Sequence, residues 1–164
     1  MTLITSRSRP GLRVAAVFAT LARVAVGALW INEGTLKFLA GFGKVDILLV
    51  VQSSAQNSRV PDFYKAFTAN VLGALPDLVG VLVPIIEFGL GVALVLGIFT
   101  LPAALISVIQ LGNYWLADQL ITQYPIMLLL SVAVAVFALS ASRFSLTSAI
   151  IGRRAFPAAL RRWV

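Results

Sequence analysis

The stretch Arg23–Phe38, RVAVGALWINEGTLKF, is apolar for most of its length but carries an arginine, a glutamate and a lysine. Its length and its flanks decide the fold. The apolar run extends on both sides to about residues 13–40, longer than the ~20 helical residues that cross a hydrocarbon core. Three further stretches, at about 78–100, 102–121 and 125–142, also meet that length or fit it tightly.

The composition agrees with this reading. Of 164 residues, 60% are hydrophobic and 12% are charged, against roughly 45–50% and about 25% in a soluble domain. The expected architecture is an all-α membrane protein, a bundle of four transmembrane helices forming one domain over residues 1–164. In IFTLPAA (98–104), Pro102 can open the third helix, because a first-turn residue has no use for its missing N–H. Pro125 reads the same way for the fourth.

The basic start TSRSRPGLR (5–13) resembles a signal-peptide n-region, but the apolar run that follows exceeds a 7–15-residue h-region and ends at GALW without a small-residue cleavage site. It is expected to remain as the first helix. Eight of the thirteen basic residues lie at the two ends: Arg7, Arg9 and Arg13, then Arg143, Arg153, Arg154, Arg161 and Arg162. Positive charge marks the cytoplasmic side, so both termini are expected there, and the chain is expected to be a multi-pass protein of the inner (plasma) membrane. In the outer loop, 43–77, Lys44, Arg59 and Lys65 balance Asp46, Asp62 and Asp77. VDILLVV (45–51) is too short to span, and Phe63, Phe67 and Val71, joined by Tyr64 and Leu72, predict a short interfacial helix. In the cytoplasmic tail, 143–164, Ser145 can cap a helical turn. Trp163 and the arginines suit anionic phospholipids at the cytoplasmic face. Nothing suggests a nucleic-acid partner.

The chain has no cysteine and no histidine, which removes disulfides, thiol chemistry and the usual zinc, copper and haem ligands. The six carboxylates are scattered, so neither metal nor haem is expected on this chain. Within the spans lie Arg23, Glu33, Lys37 and Glu87, whose formal charges cancel. Each alone at a bilayer centre costs about 2.5–3.5 kcal/mol, so pairing is expected. Helix rise places Arg23 and Glu87 both near mid-depth, which predicts a structural ion pair between the first and second helices. Glu33 and Lys37, four apart, share one face near the outer end. QLGNYWLADQ (110–119) brings Gln110, Asn113, Tyr114, Trp115 and Asp118 to the same side. The candidate chemical groups are therefore Glu33, Lys37 and Asp118. Trp30, Gln110, Asn113 and Trp115 are candidate ligand contacts in an outer pocket. A snorkelling interfacial pair and an aromatic belt remain the structural alternatives.

Two segments resemble the DoxX/DoxD-like membrane proteins. In the first, Arg23, Gly27, Gly34 and Lys37 follow R-x3-G-x6-G-x2-K, with Trp30 inside it. In the second, Glu87, Gly91, Gly97 and Thr100 follow E-x3-G-x5-G-x2-T. A looser likeness is SRFSLTSAI (142–150). Leu101 departs from the basic residue that many members carry after the threonine. The resemblance implies a membrane subunit of a quinone-linked oxidoreductase, of the thiosulfate:quinone type or a related redox complex, with quinone as the cofactor and other subunits as partners. Its alternative is a non-catalytic accessory or scaffold subunit of a respiratory or oxidative-stress complex. A small transporter has less support, because no internal repeat is visible.

Overall fold

The computed structural model describes residues 10–151, and Arg7, Arg9, Arg153, Arg154, Arg161, Arg162 and Trp163 lie outside them. The described chain is helical without strands. Its elements are α1 (Pro10–Leu39), α2 (Lys44–Gln56), α3 (Asp62–Phe67), α4 (Pro76–Leu96), α5 (Thr100–Leu116), α6 (Tyr124–Val136), α7 (Ala138–Ala141) and α8 (Leu146–Ile151). A π-helical turn, Thr68–Leu72, continues α3. Among the described residues two helices are long and apolar enough to cross a membrane: α1 over Arg13–Leu39, with mean hydropathy 2.0, and α4, with mean hydropathy 2.4.

The tightest packing joins α1 to α4, and glycine makes it possible. A Cβ on Gly27 would lie 2.8 Å from the Val95 nitrogen, and one on Gly91 would lie 2.5 Å from that of Ile31. No side chain fits such gaps, so the backbones touch directly. These contacts also fix the register of the antiparallel pair. Residue 23 lies level with residue 97, and residue 37 lies near residue 87.

α5 and α6 complete the bundle around Val26, Trp30, Leu94, Leu111 and Met127. Pro102 falls in the first turn of α5, and Pro125 opens α6. The stretch expected as one helix over 125–142 is broken at Phe137 (φ −101°, ψ 28°), after which α7 sets Ala138 and Ala141 into the interior. α4 runs on through Pro84 as a single helix.

α2 and α3 close one end of the bundle. Asp46 caps α2 through the Gly43 N–H at 2.9 Å, and Lys44 pairs with Asp77 at the start of α4, also at 2.9 Å. The expected interfacial helix has two faces. Tyr64 and Thr68 are buried and Phe67 half-buried, whereas Phe63 and Val71 face outward. The Tyr64 hydroxyl donates to the Asn113 carbonyl at 3.0 Å, and that bond fixes which face turns in.

Candidate functional site

The expected Arg23–Glu87 pair does not form. The register set by Gly27 and Gly91 places Arg23 ten residues along α4 from Glu87, about 15 Å. Arg23 lies instead at the end of the bundle opposite α2 and α3, where α4 terminates. Its Nη1 donates to the carbonyls of Leu94 (2.5 Å) and Val95 (3.2 Å), and its Nη2 to that of Phe144 (2.8 Å). The last carbonyls of a helix lack partners and carry partial negative charge, so a buried guanidinium is stabilised there without a carboxylate. Gly97 (φ +70°) ends α4. A Cβ at that position would lie 2.4 Å from both Arg23 Nη1 and Ser145 Cβ. Ser145 caps α8 by accepting the Ser148 N–H at 3.0 Å, and Thr147 donates to the Gly97 carbonyl at 2.7 Å. Arg23, Gly97 and Ser145, one from each quoted segment, thus meet at one point.

Glu87, fully buried, turns toward the capped end. Lys37 Nζ donates to both its carboxylate oxygens, at 2.9 and 2.8 Å, and the Tyr114 hydroxyl donates to Oε1. The same ammonium reaches Glu33 at 3.4 Å. Glu33, 5% exposed, accepts from the Tyr124 hydroxyl at 2.9 Å and from the Gln123 amide. Four helices therefore meet in one polar cluster, Glu33 and Lys37 from α1, Glu87 from α4, Tyr114 from α5 and Tyr124 from α6. Tyr114 and Tyr124 stack, ring centroids 4.9 Å apart. With two carboxylates and one ammonium, every donor is aimed at a carboxylate oxygen, which is how a low-dielectric interior holds such charges.

A cavity of about 410 Å³ lies against this cluster, beneath α2 and α3. Lys37, Tyr114 and Tyr124 form its polar wall, together with Gln110 and Asn113. Phe42, Ile47, Val50 and Phe67 line the cap side, and Leu82, Val83 and Ile86 the α4 side. Lys37 Nζ lies 5.3 Å from the Tyr114 ring centroid and 5.9 Å from that of Phe42. An apolar chamber with donors gathered on one wall suits a compact ligand that accepts hydrogen bonds.

Three of the expected site residues lie elsewhere. Trp30 is fully buried in the core; its Nε1 donates to Ser107 Oγ at 2.6 Å, Ser107 lies 2.6 Å from Ser131 Oγ, and Ser131 donates to the Met127 carbonyl. Trp115 points outward, 57% exposed. Asp118 follows the last turn of α5 in the left-handed region (φ 55°), which acidic and amide side chains tolerate better than most. The Gln119 N–H closes back on the Tyr114 carbonyl at 2.9 Å. From there Asp118 accepts from Asn57 at 2.8 Å and from Arg59 at 2.5 Å, away from Glu33 and Lys37. Those hydrogen bonds, Asn57 first and then Arg59, hold its carboxyl below the usual range, while burial pushes the Tyr64 phenol up. Glu87, Tyr114 and Tyr124 join the site in ways their sequence positions did not single out. Tyr124 had one local signal, its place beside the helix-opening Pro125.

Among the described residues no group of three or more acidic side chains could hold a metal ion. No curated protein and no solved structure matches the chain. The DoxX family model matches residues 18–117, more than half of the chain, spanning both the Arg23–Lys37 and the Glu87–Thr100 segments. This chain therefore belongs to the DoxX family of membrane proteins.

Proposed function

We propose that the protein is a multi-pass inner-membrane subunit of a quinone-linked oxidoreductase, with the cavity beneath α2 and α3 as the quinone head-group site. The topology is four passes, by α1, α4, α5 and the α6–α7 pair. α6 and α7 together span Tyr124–Ala141, about 27 Å of helix, close to the ~30 Å of a hydrocarbon core. Arg13 and Arg143 support an orientation with the Arg23 end at the cytoplasmic face, where basic side chains would meet anionic phospholipids. The α2–α3 cap then faces outside.

The single observation that carries this reading is Lys37, an ammonium that lines an otherwise largely aromatic and aliphatic cavity. Glu87 holds it bidentately, whereas its contact to Glu33 is long. A ligand carbonyl oxygen would take the place of that long contact, with the second N–H of the Gln110 amide as a further donor. Glu33, reached through the Tyr124 hydroxyl on the cavity wall, would take up or supply a proton exchanged with the ligand. Bound quinone would supply the redox chemistry. The chain has no cysteine and no histidine, so electrons would come from another subunit or from a reduced substrate.

The test is binding of a water-soluble benzoquinone to the purified protein in nanodiscs, wild type against Lys37→Met. Loss of a charge-assisted hydrogen bond predicts at least ~tenfold weaker binding in the variant, from the roughly 1.5–3 kcal/mol such bonds contribute. Equal affinity overturns the reading. The second reading, a non-catalytic accessory subunit, draws on the mutual satisfaction of Glu33, Lys37 and Glu87, which is also how a polar core specifies helix packing. Under it, neither wild type nor variant binds the quinone.

A further inference from the structure

The cavity has a neighbouring space on its α4 side. Ile86 also borders a second groove of about 470 Å³ between α4 and α5. On α4 its walls are Gly89, Leu90 and Ala93, and on α5 they are Pro102, Ala103 and Ile106. Residues 79, 82, 83, 86, 89, 90 and 93 recur at helical spacing, so one face of α4 lines both spaces. The groove contains no ionisable or amide side chain, and it runs about 10 Å along the axis from Ile86 to Ala93.

Glycine placement distinguishes the two sides of α4. Gly91, on the α1 side, is pressed against backbone, whereas a Cβ on Gly89 would meet nothing within 4 Å. Gly89 and Ala93 therefore leave space open toward α5. At its Ile86 end the groove adjoins the α4 side of the cavity, which Lys37 also lines and which Ile47, Val50, Tyr64 and Phe67 of α2 and α3 cover. Polar groups gather at one end and the other end is apolar throughout, the pattern of an amphiphile lying along the helices.

We propose that this groove holds the hydrocarbon tail of the same molecule whose head occupies the cavity. The ligand is then a membrane-dissolved lipid with one compact hydrogen-bond-accepting head and a long linear or isoprenoid tail. It enters sideways between α4 and α5, not through the capped end.

This inference rests on the head-group reading above, and the experiment separates the two. Two benzoquinones with the same head, one without a tail and one with a decyl tail, are titrated against the full-length protein in nanodiscs, with empty nanodiscs correcting for partition. After the partition correction the wild type should still bind the decyl probe ~threefold or more tightly than the tailless one, because a tail that moves from lipid into the groove gains only packing contacts of roughly 0.1–0.2 kcal/mol each. Gly89→Leu fills the groove without entering the α1 interface and raises helix propensity. It should remove the tail advantage and leave tailless binding unchanged. Ala93→Leu, on the same face, should act likewise. A tail advantage that persists in both variants, or is absent in the wild type, overturns the tail site while the head site stands. Failure of both probes to bind the wild type overturns both. A dependence of thermal stability on phospholipid chain length that Gly89→Leu abolishes, with probe binding unaltered, assigns the groove to bilayer lipid and also overturns the proposal.

Discussion

Replacing Lys37 by methionine keeps the length of the side chain and removes its charge. The ammonium makes contacts of 2.8 and 2.9 Å with Glu87 and 3.4 Å with Glu33. Glu87 is fully buried, and without Lys37 its carboxylate keeps only the Tyr114 hydroxyl. Breaking a buried pair by removing one partner costs about 3–5 kcal/mol. For a chain of this size each kcal/mol shifts Tm by roughly 2–4 °C, so the variant should melt on the order of 6–20 °C lower. Glu87→Gln in the Lys37→Met background removes the stranded charge and should recover most of that loss. The coupling between the two sites should lie toward the upper end of the ~0.5–3 kcal/mol seen for contacting residues. Glu33→Gln alone should cost only about 1 kcal/mol, because it gives up the long contact while the Tyr124 hydroxyl can still donate to the amide oxygen and the Gln123 amide can turn to accept from the new N–H. Thermal unfolding in nanodiscs, followed by tryptophan fluorescence over the wild type, Lys37→Met, Glu87→Gln, their double variant and Glu33→Gln, measures all of this. Equal losses for Lys37→Met and Glu33→Gln, or no rescue by Glu87→Gln, would refute the assignment of Lys37 to Glu87.

Arg23→Lys should behave as a disruptive change, since one ammonium cannot replace a planar fork that reaches carbonyls on both α4 and the segment before α8. Hydrogen exchange at residues 144–151 should rise markedly, and unchanged protection there would contradict the contact. Gly91→Ala should destabilise by about 1–3 kcal/mol or more through overpacking, whereas Gly89→Ala should be neutral or stabilising; thermal melts of the pair test the asymmetry of α4. At the capped end, Asp118 has its carboxyl held low by Asn57 and Arg59, so its contribution is present above the ordinary carboxyl pKa of about 3.9. It is lost as pH falls through the lower folded value. Exchange at residues 57–60 should accelerate on acidification below about pH 4 in the wild type, and Asp118→Asn should show fast exchange already at neutral pH.

The residues that carry family membership are also those whose roles local sequence could not assign. Gly27, Gly34, Gly91 and Gly97 are visible as small residues in apolar helices, and close packing follows from that alone. Which glycine meets which backbone sets the register, and the register moved Glu87 from Arg23 to Lys37. Depth arithmetic counts from helix ends, so an offset at either end changes the partner. Arg23 found a second kind of partner, the exposed carbonyls of a helix terminus, which carry no sequence label.

What the sequence by itself determined is the helical class, the positions of the main apolar helices, the capped polar end and the Glu33–Lys37 pairing. Each of these depends on composition, hydrophobic run length or spacing within one helix. The tertiary structure alone decided that Tyr114 and Tyr124 complete the polar cluster, that Trp30 serves the core through Ser107, and that Asp118 ties the cap. It also decided that one side of α4 is sealed and the other open. Those outcomes depend on how helices rotate and slide against one another, and that is settled by pairwise contacts between segments distant in the chain.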